Sequence, residues 1–304
     1  MQPQQAAIMP VTPIDIAGDT HWEKVKAITQ KLEEGIAALF ESDKYKEYLR
    51  VMARFHRYSL GNTLLIFFQK PDASLVAGFH DWQRKFKRNV KKGEKGIRIL
   101  APIMYKRKNK DRSEDQDGDE EEDTATAFRV VSVFDVSQTE GAELPSIGVD
   151  ELTGDVDQYR ALFDALKAVS PAPIAFEQID SGAHGYYHLE ERRIAIQQSM
   201  SQLQILKTGI HEVAHAMLHA LDESGKRPAD DPDRRTREVE AESVAYTVCQ
   251  HFGLDTASYS FGYVAGWSSG KELKELKASL DIIRRTSHDM IIAIEKHLGM
   301  EVAA

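Results

Sequence analysis

From Gly209 to His219 the chain reads Gly-Ile-His-Glu-Val-Ala-His-Ala-Met-Leu-His, with no proline and with good helix formers throughout. A helix here sends His211 and His215, four residues apart, from the same face, one turn above the other. Two neutral imidazoles at that spacing suit one zinc ion, and Glu212 stands beside the first, placed to take a proton from a water. Apart from these groups the helix is apolar, through Ile210, Val213, Ala214, Met217 and Leu218. Imidazole and carboxylate groups on a buried helix need partners, and a metal satisfies all three at once.

A catalytic zinc usually has three protein ligands and one open position, so a third ligand is expected downstream. Residues 237–246 offer Glu238, Glu240 and Glu242. Helical phase puts Glu238, Ala241, Glu242, Ala245, Cys249 and Phe252 on one stripe, whose small residues favour close packing against another helix. Glu238 is the expected ligand and Glu242 the carboxylate behind a ligating histidine; the reverse assignment, with Glu242 as ligand, fits the same stripe. Glu240 points away from it, with Thr247 and His251, and reads as a solvated surface residue. His219 is two helical turns from His211, too far to share a tetrahedral ion, so a supporting or core role is expected.

The 304 residues exceed one typical domain. We expect an α+β protein of two domains, a mixed α/β domain over 1–145 and a second over 150–304, joined by a linker at 139–150 that carries Gly141, Pro145 and Gly148. The net charge of −9 argues against bulk attraction to DNA or an anionic membrane. The single cysteine, Cys249, excludes internal disulfides and fits a reducing cytoplasm. The N-terminus has neither the basic nor the apolar segment of a signal peptide, and no apolar run reaches membrane-spanning length. A soluble, cytoplasmic protein without a membrane partner is expected.

The overall charge hides a local asymmetry. Between Arg84 and Arg98 lie eight basic residues and one acid, Glu94. Phe79, Trp82 and Phe86 interleave with them, and Gly93 and Gly96 would let backbone approach a ligand. Cations that track phosphates beside rings that stack on bases form the pattern of single-strand binding. Two Val- and Ile-rich segments, 97–105 and 127–136, read as paired strands. The insert between them, about 107–125, ends in nine acids against one Arg112 and cannot bury surface. Upstream, Thr20 and Glu23 make a capping box for a helix with Trp22, Val25, Ile28, Leu32, Ile36 and Leu39 on one side. Downstream, 185–188 and 192–196 read as hairpin strands, and the second is the candidate to pair with an extended peptide substrate.

Two blocks carry a family resemblance. Tyr58-Ser59-x-x-Asn62-x-x-Leu65-Ile66, Val76-Ala77-Gly78-Phe79-x-x-Trp82 and 90–97 resemble the N-terminal single-stranded-DNA-binding domain of ArdC-type antirestriction proteins. His211-Glu212-x-x-His215 with Glu238-x-x-x-Glu242 is similar to their C-terminal zincin-like metallopeptidase domain, itself like the ImmA/IrrE peptidases. The long acidic insert and Glu240 depart from that pattern. The resemblance implies a protein of a mobile or conjugative element that binds incoming single-stranded DNA and protects it from restriction. It implies DNA contacts at Tyr58, Asn62, Trp82, Arg84, Arg88, Lys91, Lys92 and Lys95, zinc at His211, His215 and Glu238, Glu212 as catalytic base, and a protein substrate that is a restriction or regulatory protein. The rival readings are a DNA-binding protein with a structural metal and no relevant peptidase activity, and an ImmA-like regulatory peptidase.

Overall fold

The long central hairpin predicted from the alternation of 97–105 and 127–136 forms. In the computed structural model β3 (Ile97–Lys106) and β4 (Thr124–Asp135) run antiparallel from Ile97↔Val133 to Lys106↔Thr124. The structure describes residues 9–16, 18–40, 43–106, 124–144, 156–222, 224–228, 231–257, 259 and 261–300; the acidic insert, save its last two residues, and the linker from 145 onward lie outside them. The architecture is mixed α and β.

The chain divides into two compact units, and not at one cut. Unit 1 is Met1–Gly35 with Leu64–Ala142; unit 2 is Ile36–Thr63 with Glu143–Ala304. One cut, between Ala142 and Glu143, lies beside the expected boundary near 145; the grouping of 36–63 with the C-terminal part adds to that expectation. Residues 36–63 pack with the C-terminal part because their rings and hydroxyls have partners there. Tyr45 Oη lies 2.8 Å from Ser243 Oγ, Arg50 Nε donates to Tyr246 Oη at 2.9 Å, and Phe40 meets Trp267 edge to face.

In unit 1, β1 (Val76–Gly78) and β3 flank β4 in a three-stranded sheet. A second ribbon pairs β2 (Arg88–Val90) with β5 (Thr139–Gly141), so the first residues of the expected linker are a strand. The turn between β4 and β5 is fixed by Asp135, which is buried and accepts from Ser74 N, Leu75 N and Ser137 N. Helix α1 (His21–Leu39) begins with the expected capping box: Glu23 N donates to Thr20 Oγ1 and Thr20 N to Glu23 Oε2. Trp22, expected on its apolar side, is 71% exposed.

Unit 2 holds the HExxH helix, α6 (Gln202–Leu218), whose Ser201 cap accepts from Gln204 N. Its Leu206, Ile210, Val213 and Ala214 are buried, each large side chain adding about 1.5–3 kcal/mol. Helix α5 (Val156–Val169) and a small sheet pack on one side, α7 (Arg234–His251) on another. In the sheet β8 (Arg193–Gln197) lies between β6 (Ile174–Glu177), parallel, and β7 (Gly185–His188), antiparallel. The segment expected to receive a substrate strand is thus the middle strand, with both edges already paired. Helix α7 is packed by α6, by α2 (Lys44–Arg54) and by α9 (Leu273–His297), so it has little solvent face. No helix among the described residues is long and apolar enough to cross a membrane.

Candidate metal centre

Helices α6 and α7 bring His211, His215 and Glu238 together, with one ligand atom of each within 4.8 Å of the others. The Nε2 atoms of the two histidines are 3.1 Å apart. Glu238 Oε2 lies 3.5 Å from His215 Nε2 and 3.8 Å from His211 Nε2. Ligands about 2.1 Å from a tetrahedral ion are about 3.4 Å from one another, so these three edges have the size of one face of such a site. Two imidazoles and a carboxylate are also the right donor set for a divalent ion of the zinc or manganese type.

The surrounding charges are arranged around that face. Burial pulls His211 down, but Glu242, Glu212 and Glu238 outweigh it and hold the ring above the ordinary imidazole range. Burial holds His215 below that range. Glu238, hydrogen-bonded to His215, is held below the ordinary carboxylate range. Glu242 Oε2 sits 3.2 Å behind Nδ1 of His211, off the line of a good hydrogen bond. Glu212 is 7% exposed, and burial raises its carboxyl against the smaller opposing pull of His211 and of the Tyr187 backbone amide on β7. Gly185 on the same strand permits this approach. A Cβ there would stand 2.6 Å from Thr208 Cγ2 and 2.9 Å from Ala195 O, with Glu212 Cγ at 3.4 Å. A cleft of about 260 Å³ opens beside the histidines, lined in part by His184, Lys207, Glu212, Glu242 and Tyr259.

Glu240 corrects the reading of it as a solvated residue. It is 2% exposed; its Oε1 accepts from Ser279 Oγ at 2.8 Å and its Oε2 lies 3.3 Å from His219 Nε2. His219 Nδ1 in turn is 3.1 Å from His215 Nδ1. With Nε2 of His215 turned to the centre, its Nδ1 carries the proton and donates to His219, whose Nε2–H donates to Glu240. The face of α7 that carries Glu240 is covered by α9 and does not meet water. A three-residue match of His219 to a buried acid on another helix leaves no periodic signal.

The expected DNA contacts are dispersed. Trp82 is fully buried, and its Nε1–H donates to Phe134 O at 2.9 Å; it is a core ring, not a stacking surface. Arg88 is committed within unit 1: its guanidinium donates to Thr139 Oγ1, Thr139 O and Ala142 O, holding β5 to β2. Tyr58 and Asn62 belong to unit 2, where Tyr58 packs edge to face on Phe55. Gly96 serves strand packing, since a Cβ there would meet Ser132 at 2.6 Å. Arg84, Lys91, Lys92 and Lys95 are exposed. The last three lie on one pinned loop: Lys91 N donates to Gln138 O, and the Gln138 amide donates to Glu94 Oε2 and Lys95 O. Met104 and Phe128 on the hairpin, and Phe79 at the start of the short helix Phe79–Arg84, are large exposed apolar side chains of the same unit.

Fold and site together define an α+β protein with an HExxH helix and a candidate metal centre. Residues 19–134 match the family model described as the N-terminal domain of anti-restriction factor ArdC, so the chain carries an ArdC-type N-terminal domain. That segment spans the internal boundary between the two units. The chain is 27% identical over 319 residues to the uncharacterized protein pXO2-81 of Bacillus anthracis, covering 91% of this chain. It spans about half of that relative's length, 52%. The fold resembles two crystal structures of the antirestriction ArdC protein from plasmid R388. The Mn(II)-bound form has a TM-score of 0.54 at 18% identity, covering 88% of this chain and 97% of that one. The metal-free form has a TM-score of 0.50 at 19% identity, covering 80% and 85%.

Proposed function

We propose that this chain is an antirestriction protein that binds single-stranded DNA through its N-terminal unit and carries a zinc-type metallopeptidase centre in its C-terminal unit. The observation that carries the peptidase reading is the set of three donors at tetrahedral edge distances with a buried glutamate beside them. His211, His215 and Glu238 would hold the ion, with Glu242 orienting His211 from behind. Bound there, a divalent ion supplies Lewis-acid chemistry.

The chain's own groups do the rest. Glu212, its carboxyl raised by burial, takes the proton of an attacking water and returns it to the departing amine nitrogen. Strand β7 forms the sheet edge beside α6 and is the strand placed to align an extended protein substrate. Support for the DNA reading is the pinned loop that exposes Lys92 and Lys95, and Lys91 with its Nζ donating to Ser137 O, with Arg84 exposed nearby in sequence. The substrate would be a protein of the restriction or regulatory machinery.

The test is Glu212→Ala in the full chain. It should keep bound metal and single-strand affinity and lose cleavage of any protein substrate. Protection of incoming DNA in restricting cells, measured with the same variant, separates a peptidase from a DNA-shielding protein. Undiminished proteolysis by Glu212→Ala removes this mechanism.

A further inference from the structure

A second convergence of ligand-type side chains lies elsewhere in unit 2, on residues that the centre above does not use. His56 follows the end of α2, His251 is the last residue of α7, and Glu295 and His288 lie on α9. A ligand atom of each of His56, His251 and Glu295 falls within 4.8 Å of the other two. His56 is 3% exposed and Glu295 8%. The rings of His251 and His288 stand 4.9 Å and 5.2 Å from that of His56.

We propose that His56, His251 and Glu295 form a second, structural site for a divalent cation of the zinc class, tying α2, α7 and α9 together. The hydrogen bonds carry the argument. His251 Nδ1 is 3.1 Å from Ala53 O, and a carbonyl only accepts, so Nδ1 holds the proton. In the neutral ring Nε2 is then a lone pair, yet it lies 2.9 Å from the carboxylate oxygen Glu295 Oε1. A lone pair facing a carboxylate needs a positive particle between them. A proton there makes a half-buried imidazolium packed against the His56 ring; a metal ion in its stead needs the two atoms to part to about 3.4 Å and also engages His56.

Each proposed ligand already has the outer partner that ligands of this kind use. His251 donates its other N–H to a backbone carbonyl. Glu295 Oε2, the oxygen turned away, receives Arg57 Nη2 at 3.3 Å. His56 Nδ1 shares a proton with His288 Nδ1 at 3.0 Å. Imidazole and carboxylate donors select zinc and its neighbours over calcium or magnesium. The burial of the cluster assigns the ion to holding helices, not to turnover.

The proposal does not depend on the first centre, and metal counting separates the two. Zinc per chain is measured on the purified full-length protein after dialysis. The His211→Ala/His215→Ala variant should retain one equivalent. Adding Glu295→Gln, which keeps the shape of the side chain, should remove it. After both variants are stripped with chelator, added zinc should raise the melting temperature of the first and leave that of the second unmoved. Retention of no metal by His211→Ala/His215→Ala, or the same equivalent with and without Glu295→Gln, overturns the second site. Two equivalents in the parent that fall to one only on Glu295→Gln, untouched by the His211/His215 change, would sink the first centre instead.

Discussion

Replacing Glu240 with Gln tests the buried chain that runs from His215 through His219 to Ser279. The substitution keeps volume, removes the charge and turns one acceptor oxygen into an NH2 donor. Glu240 and His219 are 2% and 5% exposed, so solvent barely screens their interaction. A hydrogen bond to a charged group contributes about 1.5–3 kcal/mol. Removing an outer partner of a ligating histidine typically costs about 10–100-fold in metal affinity, which is about 1.4–2.7 kcal/mol. The two ranges agree. The His219–Glu240 separation of 3.3 Å exceeds the roughly 2.7–2.9 Å of a strong charge-assisted pair, so the low end applies. We expect Glu240→Gln to weaken zinc binding about tenfold. Ser279→Ala, which removes one neutral donor from the same carboxylate, should weaken it only about two- to fivefold. Competition against a chromophoric chelator at fixed neutral pH reads both. Unchanged affinity in Glu240→Gln, with unchanged melting temperature, would refute the relay.

Gly185→Ala should destabilise the protein by about 1–3 kcal/mol in chemical denaturation, since its methyl must displace Thr208 or the β8 backbone; a neutral effect would show that β7 can slide off α6. Charge reversal at Lys91, Lys92 and Lys95 should lower single-strand affinity and flatten its salt dependence by up to about three counterions. Arg88→Glu should instead loosen β5 and lower stability, and a pure binding effect there would contradict its contacts with Thr139 and Ala142. Burial, together with the neighbouring His251, pushes His56 down to about 3. The unfolded chain therefore binds a proton below about pH 6.5 that the folded chain refuses, and stability is lost as pH falls between those values, by up to about 1.4 kcal/mol per pH unit from this group. His56→Gln should remove that part of the slope in chelator-treated protein; an identical acid profile would show that the buried ring does not set it.

Much of the site was legible because its signals are local. The four-residue spacing of His211 and His215 guarantees a shared face on any α-helix, and Glu238 follows by the same periodicity one helix later. Glu242 lies behind His211, in the place of an outer carboxylate. The central hairpin was legible from its alternation. The basic run was visible as well, but charge density does not say which cations are already engaged. Arg88 and Trp82 have the right chemistry for DNA and are held instead by Thr139 and Phe134.

By itself the sequence determined the elements, the capping of α1 and the pairing of two imidazoles with two carboxylates, because each depends on residues a few positions apart. Tertiary structure alone decided that residues 36–63 join the C-terminal unit, that β8 is an inner strand, and that Glu240 is buried against Ser279 and His219. Those outcomes depend on which faces are covered by segments tens to hundreds of residues away. Helical phase distinguishes one side of α7 from the other, but only the arrival of α9 makes the second side an interior.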